Sequence, residues 1–285
     1  MYSTLTILTI GGWLMFITLF LSLLDIPYKK HFRMKGWIIT TALLFIFSYY
    51  AWFNEQSIVQ SSIAIISGLY SIFIIYLMYK NNIGLRQTTI FITLSSGILL
   101  LLYTISTIQL SLISSVATET QFFLDMLGYD TAIERSNDGM YIRFLGTNLK
   151  TEIVMACTGI GSIALFAGFI SSIDTLSIQM KLALISISSG AIYILNIIRN
   201  VFIAGAYGGQ WFHIQPEIIE SVFGRGDEWV SFYIADRIIS QIGAVLVMII
   251  FAIGIINIID DKTKLIQEWT IIIEHTEKSI NNILD

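Results

Sequence analysis

The residue of this sequence best suited to covalent chemistry is Cys157, the only cysteine, which lies in the segment MACTGIGS. A cysteine thiolate is a strong nucleophile, and neighbouring cations favour it over the thiol. Two arginines interrupt apolar segments further along the chain, Arg199 in ILNIIRNVFIAG and Arg237 in FYIADRIISQIGAV. Because arginine stays protonated, it can stabilise a thiolate or donate hydrogen bonds to the oxyanion of a tetrahedral intermediate. The three residues together would suit acyl transfer through a thioester.

Polar residues flank both arginines at short spacings. Asn196 and Asn200 lie three residues and one residue from Arg199. Arg237 is surrounded by three more polar residues, Asp236, Ser240 and Gln241. They could orient the guanidinium groups or form ordinary hydrogen bonds between helices, and for each residue alone the ordinary role is favoured.

An interpretation without chemistry remains open for the three central residues. A lone cysteine in a membrane helix usually packs as a small apolar residue, and an arginine near a helix end usually reaches the lipid headgroups. Catalysis therefore becomes the better hypothesis only if the side chains of Cys157, Arg199 and Arg237 lie close together.

Composition indicates that the elements positioning these residues are membrane helices. The chain has 285 residues, of which 55% are hydrophobic and only 13% charged, with a mean hydropathy of +0.76. One cysteine excludes an internal disulfide, a multi-cysteine zinc site and an iron–sulfur cluster, and the three histidines lie far apart. The sequence predicts no metal site, no cofactor, no phosphate-binding loop and no nucleic-acid partner.

Apolar runs of about 20 residues predict an all-α polytopic membrane bundle. About seven spans are expected, near 4–24, 37–53, 58–78, 88–107, 153–173, 182–203 and 234–258. The stretch 108–118 could add an eighth, shallow segment. The whole chain is predicted to be one membrane-embedded domain, with the parts 1–107 (four helices), 108–152 (an outer segment), 153–258 (the helices of the candidate site, with an outer loop 204–233) and 260–285 (a cytoplasmic amphipathic tail).

Basic residues in the short connections predict the orientation, because lysine and arginine are retained in the cytoplasm. Every second connection is basic, through Lys29, Lys30, Arg33, Lys35, Lys80, Arg86, Lys181, Lys262 and Lys264. The N-terminus is then outside and the C-terminus cytoplasmic. This topology puts Cys157, Arg199 and Arg237 at the outer ends of the last three spans, in one layer of the membrane.

The segments around these residues resemble the exosortase/archaeosortase family of membrane cysteine transpeptidases. The resemblance rests on ACTGIGS around Cys157, NIIRNVFIAG around Arg199 and ADRIISQ around Arg237, in this order, and covers roughly 150–245. The first four spans match only as hydrophobic helices. Related exosortases have histidine at the third position, so Arg237 indicates the archaeal branch of the family.

The resemblance implies a function. Such enzymes process surface proteins that carry a C-terminal tripartite signal, made of a short motif (Pro-Gly-Phe-like in one archaeal group), a transmembrane helix and a basic cluster. Cys157 would form a thioester with the cleaved protein, Arg199 and Arg237 would stabilise the thiolate and the oxyanion, and a membrane lipid would accept the new C-terminus. The resemblance does not identify the base that deprotonates the lipid, and His213 is one candidate.

Two other classes of function compete with this one. A transporter would bind an anionic substrate through Arg199 and Arg237 and would tolerate loss of Cys157. A structural or lipid-binding subunit would tolerate conservative changes at all three positions.

Overall fold

The computed structural model describes residues 2–80, 84–136, 139–212, 214, 216–224, 226–258 and 263–284. The helices are α1 (Tyr2–Leu23), α2 (Lys29–Phe53), α3 (Ile58–Lys80), α4 (Arg86–Thr104), α5 (Ser106–Met126), α6 (Ile160–Ser172), α7 (Ile178–Gly208), α8 (Pro216–Phe223), α9 (Glu228–Phe232), α10 (Gln241–Ile256) and α11 (Lys264–Leu284). Three strands, a 3-10 turn and a π-helix complete the fold: β1 (Thr131–Arg135), β2 (Met140–Phe144), β3 (Lys150–Ile153), the turn Met155–Thr158 and the π-helix Tyr233–Ser240.

The described part of the chain contains six helical segments that are long and apolar enough to cross a membrane: 4–23, 29–53, 58–80, 86–104, 178–208 and 228–256. The prediction of a polytopic helical membrane protein is therefore confirmed. The number of spans that cross a bilayer and their orientation stay predictions.

The predicted fifth span, 153–173, is not one long helix. Strand β3 ends at Ile153, a 3-10 turn follows, and α6 has only 13 residues. A helix of that length is about 20 Å long, short of the ~30 Å hydrocarbon thickness. Gly159 separates the turn from α6 with a φ of 75°, a left-handed conformation that interrupts a helix.

The predicted outer segment 108–152 also contains structure that hydropathy did not indicate. Its first part, including the suggested shallow stretch 108–118, lies in α5, and its second part forms an antiparallel sheet in the order β1-β2-β3. Ile133 pairs with Ile142, which in turn pairs with Thr151. The helical fold class is confirmed, and this small sheet is an element that the sequence analysis did not predict. One face of the sheet joins the hydrophobic core, where Ile142 and Phe144 are buried against α5 and α7.

Several basic residues near the connections between helices form polar contacts at one end of the bundle. Arg33 donates to the Gly84 carbonyl, Lys181 donates to the Ser171 carbonyl at 2.9 Å, and Lys264 lies 3.5 Å from Asp174. Glu268 of α11 accepts hydrogen bonds of 2.9 Å from two backbone amides at the start of α4, a favourable place for a carboxylate. The tail 260–285 thus contains a helix that docks on the bundle, and its cytoplasmic location stays a prediction.

Helix α6 packs tightly against α4 through Gly168. A Cβ at Gly168 would lie 2.7 Å from the Ser95 amide nitrogen and 2.8 Å from the Phe91 carbonyl oxygen. These are backbone atoms, so the helices must separate to admit a methyl group.

We expect Gly168→Ala to lower the free energy of unfolding by about 1–3 kcal/mol, as overpacking does elsewhere. The matched control is Gly190→Ala, because a Cβ at Gly190 meets nothing within 4 Å and alanine favours helix by up to about 1 kcal/mol. Denaturant titration in detergent measures both. Equal stability of the two variants would contradict this close packing.

Candidate active site

The Cys157 turn is held by two asparagines of α7. The Cys157 carbonyl oxygen accepts hydrogen bonds from Asn196 Nδ2 at 2.6 Å and from Asn200 Nδ2 at 2.8 Å. Both amides are buried, with 8% and 2% of their surface exposed. Two residues further on, position 159 must be small, because a Cβ at Gly159 would lie 3.0 Å from the Asn196 side chain. The sequence leaves two roles open for these asparagines, orienting Arg199 or forming ordinary hydrogen bonds between helices, and favours the second. Their side chains donate to the backbone that carries the thiol.

The two arginines belong to a chain of alternating charges. Arg199 donates to Asp236 Oδ1 at 2.5 Å, and the other Asp236 oxygen lies 3.3 Å from Arg237 Nε. Arg237 also donates to Glu55 Oε2 at 3.2 Å, and Glu55 accepts from the Tyr50 hydroxyl at 3.0 Å. Each guanidinium is therefore paired with a carboxylate. The formal charges of the two arginines and the two carboxylates cancel.

Glu55 is the residue of this site that the sequence did not indicate. It lies in the connection between α2 and α3, and its partner Arg237 is 182 residues further along the chain. The only signal was a carboxylate directly after the end of an apolar run, which is also typical of an ordinary connection.

Arg237, Asp236 and Ser240 are carried by a π-helix, Tyr233–Ser240, that continues into α10. π-Helical turns are rare and frequently occur at functional sites. Ser240 is 7% exposed, and its hydroxyl has no hydrogen-bond partner within the described part of the chain. His213, predicted as a candidate base, lies outside the described residues.

The Cys157 thiol itself lies beside the sheet. Its sulfur is 4.0 Å from the Glu152 carbonyl oxygen at the end of β3, and the residue is partly buried in the core formed by α5, α7 and the sheet. No hydrogen bond joins the thiol to Arg199 or Arg237 among the residues that the structure describes. The arginines act on the sulfur through their charge rather than by direct contact.

Burial has the largest effect on the thiol, and it raises the pKa of Cys157 above its ordinary value. Arg199 and Arg237 lower this pKa, and Asp236 raises it. Burial therefore favours the neutral thiol, whereas the charges of the two arginines favour the thiolate.

We expect alkylation of Cys157 to accelerate with pH without levelling off before pH 9, because the thiolate is the reactive form. Asp236→Asn should move the midpoint of this profile to lower pH, and Arg237→Gln should move it to higher pH. Maleimide labelling of the single cysteine in detergent, followed by mass spectrometry between pH 6 and 10, measures the three profiles. Coincident profiles would show that these charges do not reach the thiol.

A family of known proteins matches most of this chain. The family model described as transmembrane exosortase matches residues 5–239. The chain belongs to this family. The chain is 34% identical over 178 residues to archaeosortase A of Haloferax volcanii, a match covering 61% of this chain and 58% of that protein. It is 29% identical over 223 residues to archaeosortase A of Natronomonas pharaonis, covering 75% of this chain and 70% of that protein.

The exosortase thus spans less than two thirds of the length of the Haloferax volcanii relative. No solved structure matches the chain. The match includes the segments around Cys157 and Arg199 in full, and the segment around Arg237 as far as Ile239.

Proposed function

We propose that this exosortase is an archaeosortase-like cysteine transpeptidase of the membrane. It cleaves the C-terminal sorting signal of surface proteins and transfers the new C-terminus to a lipid. One observation carries the proposal. Three segments distant in sequence meet at one site, where the Cys157 turn is bound to α7 beside Arg199, and Arg199 is joined through Asp236 to Arg237.

Cleavage begins when the Cys157 thiol loses its proton and the sulfur attacks the scissile carbonyl carbon. A C–S bond forms, the C–N bond breaks, and the released amine of the sorting helix takes up a proton. An amine, hydroxyl or phosphate of a lipid then attacks the thioester, the C–S bond breaks, and the thiol regains its proton. Arginine is unsuited as the base in either step, and His213 stays a candidate for the second.

Arg199 and Arg237 stabilise the negative charge that develops on the sulfur and the carbonyl oxygen. The carboxylates of Asp236 and Glu55 hold both guanidinium groups in place before substrate arrives, so little reorganisation is needed during the reaction. Asn196 and Asn200 have a positioning role, since they bind the carbonyl of the nucleophile's own residue and keep the turn rigid.

The transporter hypothesis is not favoured. Arg199 and Arg237 are paired with Asp236 and Glu55, so the site has no excess positive charge with which to attract a free anion, although their N–H groups can still donate to a charge that develops on a substrate held beside them. The family membership also favours processing over transport.

The experiment is co-expression of the chain with a surface protein from the same genome that carries a Pro-Gly-Phe-like motif, a transmembrane helix and a basic cluster. We expect intact mass spectrometry to show loss of the helix and gain of a lipid mass. The control substrate has the motif replaced by alanines and should remain uncleaved. Identical masses for the two substrates would contradict the proposal.

A further inference from the structure

A cavity of about 300 Å³ lies between α7 and the segment formed by the π-helix and α10. We call it the α7–α10 groove. Apolar side chains form most of its walls, with Ile192, Leu195 and Phe202 on one side and Val247 and Met248 on the other. The groove runs along two segments long and apolar enough to cross a membrane, so its occupant is mostly apolar.

The end of the groove nearest the Cys157 turn is polar. Arg199, Asn196 and Ser240 line it, together with Gly159, two residues after the cysteine. The Ser240 hydroxyl is buried without a hydrogen-bond partner in the described structure. A buried hydroxyl without a partner is unfavourable, and a ligand bound at this end of the groove would be placed to supply the missing partner.

The wall contributed by α10 is made of small residues where it approaches this polar end. Gly243 and Ala244 both line the groove, and a Cβ at Gly243 would meet nothing within 4 Å. Glycine and alanine on a membrane helix allow the backbone of another helix to approach closely. No side chain of the described structure fills the space beside Gly243. The backbone of another helix could approach α10 there.

Charge decides between a peptide and an anionic lipid as the occupant. A phosphate headgroup would need a net positive site, but Arg199 is bound at 2.5 Å by Asp236, and the chain of ionised groups sums to zero. A peptide carbonyl is uncharged and accepts a hydrogen bond from a hydroxyl. It therefore matches the unpartnered Ser240 hydroxyl at the head of the groove.

We propose that the α7–α10 groove binds the transmembrane helix of the substrate, with the scissile peptide at its polar end between Ser240 and Arg199, beside the Cys157 turn. This inference rests on the proposed function and adds the path by which substrate reaches the nucleophile. The helix enters sideways from the membrane, along Val247 and Gly243.

Cross-linking in a Cys157→Ser protein tests the groove without requiring turnover. Val247→Cys places a thiol in the groove, and Ile249→Cys places one at a similar depth on the other side of α10, where Ile249 is 49% exposed. The partner is a substrate with single cysteines along its apolar helix, joined by a bismaleimide in the membrane. We expect cross-links to Val247→Cys at every third or fourth substrate residue, and at least fivefold fewer to Ile249→Cys. Equal cross-linking at both positions would overturn the proposal.

The second experiment uses a substitution that fills the groove and measures cleavage, cross-linking and Cys157 alkylation. Gly243→Leu should reduce both cleavage and cross-linking at least tenfold while Cys157 alkylation stays normal, and Ile249→Phe should change none of these. If Gly243→Leu cleaves normally but releases a product without lipid, the groove holds the lipid acceptor and the proposal is wrong. Failure of the unmodified protein to cleave the substrate would refute the proposed function, whereas the cross-linking pattern still reports on the groove.

Discussion

Cys157→Ser is expected to abolish processing, with a rate at least about 10³-fold below that of the unmodified protein, as when other covalent nucleophiles are removed. A serine hydroxyl at this site has neither the acidity nor the nucleophilicity of a thiol, and the structure offers it no hydrogen-bonded base among the described residues. The turn itself should survive, because the Cys157 carbonyl and not its side chain binds Asn196 and Asn200. Full-length substrate should therefore accumulate.

The matched control is Ala156→Ser, which introduces the same hydroxyl at the neighbouring residue of the same turn, where the side chain is exposed. We expect normal cleavage from this variant. Quantitative mass spectrometry of cleaved and uncleaved substrate at several times after induction gives both rates. Comparable processing by Cys157→Ser and Ala156→Ser would remove Cys157 from the mechanism.

Arg199→Lys is expected to reduce the rate of processing by about 10²–10³-fold, the usual effect of losing a preorganised donor to an oxyanion. The arginine both reaches Asp236 at 2.5 Å and lines the groove. A planar guanidinium can donate hydrogen bonds to two partners on different sides at once, whereas the lysine ammonium is a compact point charge on a flexible stem. Conservation of charge is therefore not expected to preserve activity.

The control for this substitution is Arg143→Lys on the sheet. Arg143 pairs with Glu134 at 2.8 Å, but both side chains are nearly half exposed, and exposed pairs of this kind contribute at most about 1 kcal/mol. Substrate processing and thermal unfolding of both variants should be measured together. An active Arg199→Lys protein would show that the guanidinium is structural and takes no part in stabilising the reacting group.

The sequence indicates Cys157, Arg199 and Arg237 as candidates, because a thiol and two charged groups are unusual within apolar segments, and their catalytic role stays a prediction. It did not show their partners. The asparagines beside Arg199 bind the Cys157 turn instead, and Glu55 was missed because pairing across 182 residues leaves no local pattern. Contacts between distant segments are a property of the packing and not of any one helix.

The boundaries that hydropathy placed wrongly have local causes. An apolar run continues from Val154 into α6, so it hides the turn at Gly159, which only the positive φ reveals. The strands have five, five and four residues, too short and too charged to produce a clear alternation. The π-helix Tyr233–Ser240 continues directly into α10 without a glycine or proline between them, so no residue in the sequence marks the change in helix type.

The pairing of Glu55 with Arg237 has a consequence for how the protein is made. At about 5–20 residues per second, synthesis of the 182 residues between them takes about 10–40 s. During that time Glu55 and later Arg199 are synthesised before the partners that neutralise them. Because Asp236 and Arg237 follow both residues in the chain, the site is assembled only when the segment that contains the π-helix and α10 packs against α7.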